Sequence, residues 1–219
     1  MKYHDNKGVN KMKKATLISL LSLMLGFFIS ISVSTTSFAE KEKLQEIEGN
    51  ILCVDRDSEG NIIVDEKYTE CNGVFIVVSS NGNIYTLTGS KEDIKKQYQN
   101  IKDNNKISGQ VNGNQRAWLI NVSRSDSGEV EKSESKTIKG DIYCLLPNPY
   151  KLSAKALLSS QSCNELPPHS HVISTREGEV YSVVGPEKKI VEIEKNPKND
   201  VLLKGKLRYN ESGIVLYAF

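Results

Sequence analysis

Beyond the first 39 residues, the side chains best able to do chemistry are four cysteines and two histidines: Cys53, Cys71, Cys144, Cys163, His169 and His171. The cysteines fall into two similarly spaced pairs, 18 residues apart in the first and 19 in the second. An even number of thiols in two equivalent pairs predicts two structural bridges, Cys53–Cys71 and Cys144–Cys163. No C-x-x-C arrangement is present. A thiol–disulfide exchange protein is therefore an alternative that needs strained or exposed bridges.

The histidines stand in Pro167-Pro168-His169-Ser170-His171. In an extended segment both imidazoles point to the same side, where His169 and His171 together suit copper or zinc, and metal binding or delivery through them is a second reading. With both neighbouring cysteines bridged, no thiolate is left to complete such a shell, and a plain loop entering a strand accounts for the same residues. A third candidate is the run from Asp55 to Glu66, which nearly fits the calcium-loop pattern with Asp55, Asp57, Glu59, Asn61 and Glu66 as oxygen ligands and Gly60 at the turn. Glu59 stands where Asp or Asn belongs, and a polar turn between two strands explains the segment equally. Apart from copper, zinc or calcium, no cofactor is suggested. No Ser/His/Asp set, paired-carboxylate spacing or phosphate-cradling glycine loop occurs, so an enzyme is the least supported class.

The start of the chain reads as a secretory leader. Lys11, Lys13 and Lys14 precede an apolar stretch from Ala15 to Val33, and Ser37-Phe38-Ala39 offers a small-residue cleavage site. A signal peptide over residues 1–39 is expected, with an uncleaved membrane anchor as the alternative. The whole chain has 29 basic and 27 acidic side chains; the leader holds five lysines and one aspartate, which leaves 24 and 26 and a net charge of −2. Such a mature chain lacks the basic footprint of a nucleic-acid binder. No later apolar run approaches membrane-spanning length, so the expected product is exported, periplasmic or extracellular, without a span after cleavage.

These residues sit in a repeat. Gly49-Asn50-Ile51-Leu52-Cys53 matches Gly140-Asp141-Ile142-Tyr143-Cys144. Beyond an insertion in the second copy, Gly82, Tyr85, Gly89, Ile94 and Gly109 pair with Gly178, Tyr181, Gly185, Ile190 and Gly205 at one constant offset. The polar stretch 125–136 reads as a linker between repeat one (45–124) and repeat two (137–219).

Each copy shows a short apolar strand, a hairpin around Asn81-Gly82 or its counterpart, a helix opened by Ser90 or Pro186, and two alternating strands. Tyr85, Tyr181 and Trp118 could form a stacking platform, but their parity with apolar positions favours core packing. The order strand, strand, strand, helix, strand, strand resembles the OB-fold, a five-stranded partly open barrel, and the Gly/Cys/Tyr spacing resembles that of small exported bacterial domains of unknown role. That resemblance implies a mainly β chain of two tandem barrels; two small β-sandwiches are the alternative. The function expected is that of a non-enzymatic binding or interaction protein for an unidentified protein or small ligand.

Overall fold

The structure, a computed structural model, describes residues 44–66, 71–114, 116–123, 134–158, 162–210 and 213–219. The expected leader and most of the expected linker lie outside these residues. Among the described residues, no helix is long and apolar enough to cross a membrane.

Repeat one contains β1 (Gln45–Arg56), β2 (Ile62–Asp65), β3 (Val74–Ser79), β4 (Ile84–Thr88), α1 (Lys91–Asn104), β5 (Lys106–Asn114) and β6 (Ala117–Asn121). Repeat two follows with β7 (Glu134–Asn148), β8 (Ser153–Leu158), β9 (Ser170–Thr175), β10 (Val180–Val184), α2 (Glu187–Lys195), β11 (Val201–Asn210) and β12 (Gly213–Ala218). Each repeat is a closed five-stranded barrel with one extra strand, β2 or β8, on its edge. The extra strands are an addition to the expected element order. Part of the expected linker is also strand: Glu134, Ser135 and Lys136 already pair with β11.

Closure depends on a long first strand that serves two neighbours. In repeat one, residues 45–48 of β1 pair with β5, and residues 49–54 pair with β3. β7 does the same with β11 and β9. The change of partner falls at Gly49 and Gly140, where a Cβ would strike the backbone of the neighbouring strand at Val78 and Ser174 respectively. Only a residue without a side chain lets the strands cross so closely at a barrel corner. Gly140→Ala is expected to lower stability by about 1–3 kcal/mol through overpacking. The midpoint of urea unfolding checks this, and an unmoved midpoint would show that the corner can yield.

The helices plug the barrels. Ser90 caps α1 by accepting a hydrogen bond from the Asp93 amide at 3.1 Å. Ile94 and Ile101 of α1 enter a core with Ile51, Val77, Leu87, Ile107 and Ile120. In repeat two, Ile190 and Ile193 of α2 pack with Ile142, Ile173, Tyr181, Leu207 and Leu216. Tyr85 and Tyr181 are buried, as their parity implies. Trp118 is only partly buried and leans on Tyr85 with ring centroids 6.0 Å apart.

A third core joins the repeats. β3 is buried on both faces: Phe75 and Val77 turn into its own barrel, and Val74, Ile76 and Val78 meet Leu145, Val172 and Val180 of repeat two. The interface pairs matching surfaces, as in a two-fold homodimer. Ile84 and Val180 are equivalent positions within it, and the equivalent hydroxyls of Thr86 and Ser182 hydrogen-bond to each other. Arg56 also crosses over, donating from Nη1 to the Thr175 carbonyl at 2.8 Å.

Candidate metal centre

The β7–β9 register sets Cys144 directly opposite His171, just as β1–β3 sets Cys53 opposite Phe75. Alternation along β9 then sends His169, two residues earlier, toward the same point. Cys163 arrives from the loop after β8; its amide donates to the Glu194 carbonyl of α2 at 2.8 Å, which ties this end of the loop to the helix. Cys144, Cys163, His169 and His171 are all buried, and their four ligand atoms lie within 4.8 Å of one another.

In repeat one the corresponding cysteines are bonded, Cys53 to Cys71, as expected. In repeat two the expected Cys144–Cys163 bridge is not made, and both are free thiols. The difference has a local cause. Cys71 lies three residues before β3, but Cys163 lies seven residues before β9, and the longer loop leaves room for two imidazoles beside the sulfurs. The positions of His169 and His171 are filled in repeat one by Gly73 and Phe75.

Three donor–donor distances, those among His169, His171 and Cys163, are close to those of a coordination shell, and the set with Cys144 spans up to 4.8 Å. His169 Nε2 is 3.1 Å from His171 Nε2 and 3.3 Å from Cys163 Sγ; His171 Nε2 is 3.6 Å from the same sulfur. A tetrahedral zinc ion would separate two imidazole nitrogens by about 3.3 Å and a nitrogen from a thiolate sulfur by about 3.6 Å. His169 Nδ1 lies 2.8 Å from the Pro167 carbonyl, an acceptor that requires the hydrogen there and leaves the Nε2 lone pair facing the cluster. His171 Nδ1 is buried without a hydrogen-bond partner.

Buried charges surround the cluster. Glu194 of α2 is 1% exposed and brings Oε1 to 3.9 Å from His169 Nε2, while its other oxygen pairs with Arg116 of repeat one. Lys198 is fully buried, donates to the carbonyls of Glu194 and Asn196, and favours the thiolate form of Cys144. A cleft of about 450 Å³ reaches the edge of the cluster, lined in part by Trp118, Arg116, Pro168, His169 and Glu194.

Without metal, the two thiols divide their roles. The hydrogen bond from Cys144, helped by those from His169 and His171 and opposed by burial, holds the Cys163 thiol well below its ordinary range. Cys144 is pushed above its range by that same bond and by burial. Burial is the largest effect on both imidazoles: it keeps His171 low, whereas for His169 the bonds to Cys163 and Pro167 outweigh it and raise the value. The pair shares a proton between its sulfurs, so a divalent ion must displace at least one thiol proton, and its affinity should rise with pH. Calorimetry in buffers of different ionisation enthalpy should find proton release on zinc binding; a heat independent of buffer would contradict this protonation pattern.

The calcium residues do not assemble. Asp57 Oδ1 accepts from the Glu59 and Asn61 amides at 2.9 and 2.8 Å, making a tight hairpin turn in which Gly60 has φ +90°. Asp55 accepts from the Arg56 and Asn72 amides, and Glu66 accepts from the Asn50 side chain. Asp57, Glu59 and Asn61 close the turn between β1 and β2, whereas Asp55 and Glu66 also bond outside it. Among the described residues, the cysteine–histidine cluster is the grouping of three or more such side chains able to hold a metal ion.

Sequence reasoning reached both histidines but assigned the cysteines to a bridge and missed Glu194, Arg116 and Lys198. One signal was available: the histidines occur only in the copy whose cysteine loop is lengthened. Comparisons of the chain with protein-family models, curated proteins and solved structures return no match.

Proposed function

We propose that this chain is an exported zinc-holding protein in which Cys144, Cys163, His169 and His171 bind one ion and the joined barrels present a binding surface. The observation that carries the reading is the convergence of four buried soft ligand atoms within 4.8 Å. Two thiolates and two imidazoles are a soft donor set that selects zinc over hard cations. With all four positions supplied by the chain, the site is of the closed, structural kind, and it leaves no position open for a substrate.

Export is supported by the leader pattern and by the Cys53–Cys71 bridge, since such bridges persist in oxidising compartments. The OB-like reading is supported by five-strand closure with a helix between the third and fourth barrel strands. The cleft between Trp118 and His169 is the natural place for a ligand, because concave sites favour the junction of two domains.

Substitution with cobalt(II) tests the metal assignment. One cobalt per chain with the intense d–d bands of a tetrahedral ion and sulfur-to-metal charge transfer is the expected result. A spectrum without thiolate charge transfer, or no uptake, would remove the assignment.

A further inference from the structure

The two repeats place their cysteine pairs at the same point of the same barrel, yet one pair is bonded and the other is reduced. Cys53 and Cys144 both lie in the first strand of their barrel and face equivalent residues of the next strand, Phe75 and His171. Repeat one therefore shows what this position becomes when its sulfurs are oxidised. In repeat two the sulfurs are already within 4.8 Å of each other. They also differ in freedom: Cys144 is locked by pairing on both sides, to β8 and β9, whereas Cys163 sits in a loop outside any strand. That loop carries Leu166, Pro167 and Pro168, which line the cleft, and Cys163 is buried behind them.

Resting on the zinc reading, we propose that repeat two is a zinc–disulfide switch that reacts with low-molecular-weight disulfides and releases its ion as Cys144 and Cys163 close the bridge already present in repeat one. The Cys163 thiolate attacks one sulfur of the small disulfide; a Cys163 mixed disulfide forms and one small thiolate leaves. The Cys144 thiolate then attacks Cys163 Sγ and expels the second thiolate. The pair of cysteines loses two electrons, the small disulfide gains two, and zinc leaves as the divalent ion because two imidazoles alone bind it weakly. The lengthened loop supplies the movement that brings the sulfurs to bonding distance. Metal and bridge are alternative staples of one site, so the barrel keeps a cross-link in either state.

The test is made on the full chain loaded with zinc and treated with oxidised glutathione. Zinc release is followed with a chromogenic chelator, and cysteine pairing by peptide mass after alkylation. Zinc should leave in a one-to-one ratio with formation of Cys144–Cys163, Cys53–Cys71 should be unchanged, and reductant with added zinc should reverse the reaction. Zinc that stays bound, or that leaves while the cysteines end as stable mixed disulfides with glutathione, overturns the switch and leaves the zinc site standing. A chain that takes up no zinc at the start overturns the zinc reading itself, and the switch with it. His171→Phe supplies a second variant, copying the residue of repeat one. It should bind no zinc and form the bridge under the same oxidant; two persistently free thiols in a folded variant would count against the proposal.

Discussion

Removing zinc with a strong chelator is expected to lower the melting temperature by on the order of 10 °C. An ion present at a thousand times its dissociation constant stabilises the folded state by about 4 kcal/mol, and each kcal/mol moves the transition of a domain pair this size by about 2–4 °C. The effect should be large because the four ligands come from separate places: the first strand of the repeat, the loop after its second strand, and the entry and start of the third. Without the ion, the segment from Cys163 to His169 keeps the bond from Cys163 to Glu194, its own turn and the contacts of His169 with Cys163, His171 and Glu194. Cys163→Ser should reproduce the chelator's effect and make the protein insensitive to further chelation. Scanning calorimetry with and without chelator is the measurement; equal transitions for wild type and variant in both conditions would show that no metal contributes to folding.

Replacing both Cys53 and Cys71 with alanine is expected to destabilise repeat one by about 3 kcal/mol, the loop-closure value for a bridge of this span. The bridge spans 18 residues and ties β1 to the segment just before β3, on the face opposite the interrepeat core. Reductant should have the same effect on the wild type while leaving the zinc site intact, because Cys144 and Cys163 are already reduced. The two staples can thus be removed separately, one by reductant and one by chelator. Guanidinium unfolding under each condition checks this. A reductant effect that persists in the double-alanine protein would place the labile bond elsewhere.

Much of the architecture was readable without coordinates because it depends on local chemistry. Ser90 with Asp93 announced the start of α1, and the alternation of Leu203, Gly205 and Leu207 announced β11 with its inner face. The edge strands β2 and β8 were harder. Ile62, Val64, Ala154 and Ala156 are only partly buried and pack against the core shared by the repeats, so their burial depends on a partner distant in sequence. The same holds for Val74, Ile76 and Val78: their apolar character is visible, but the surface that covers them belongs to the other repeat.

What the sequence by itself determined is the duplication, the strand and helix order, and the presence of two equivalent cysteine pairs, one accompanied by His169 and His171. These follow from repeat spacing and side-chain periodicity, which act over a few residues at a time. Only the tertiary structure decided that one pair is bonded and the other lies open beside two imidazoles, with Glu194 and Lys198 buried around them. The physical reason is that bonding and coordination depend on distances of a few ångströms between atoms far apart in the chain. Those distances are set by strand register, by the length of the loop before β9 and by the position of α2.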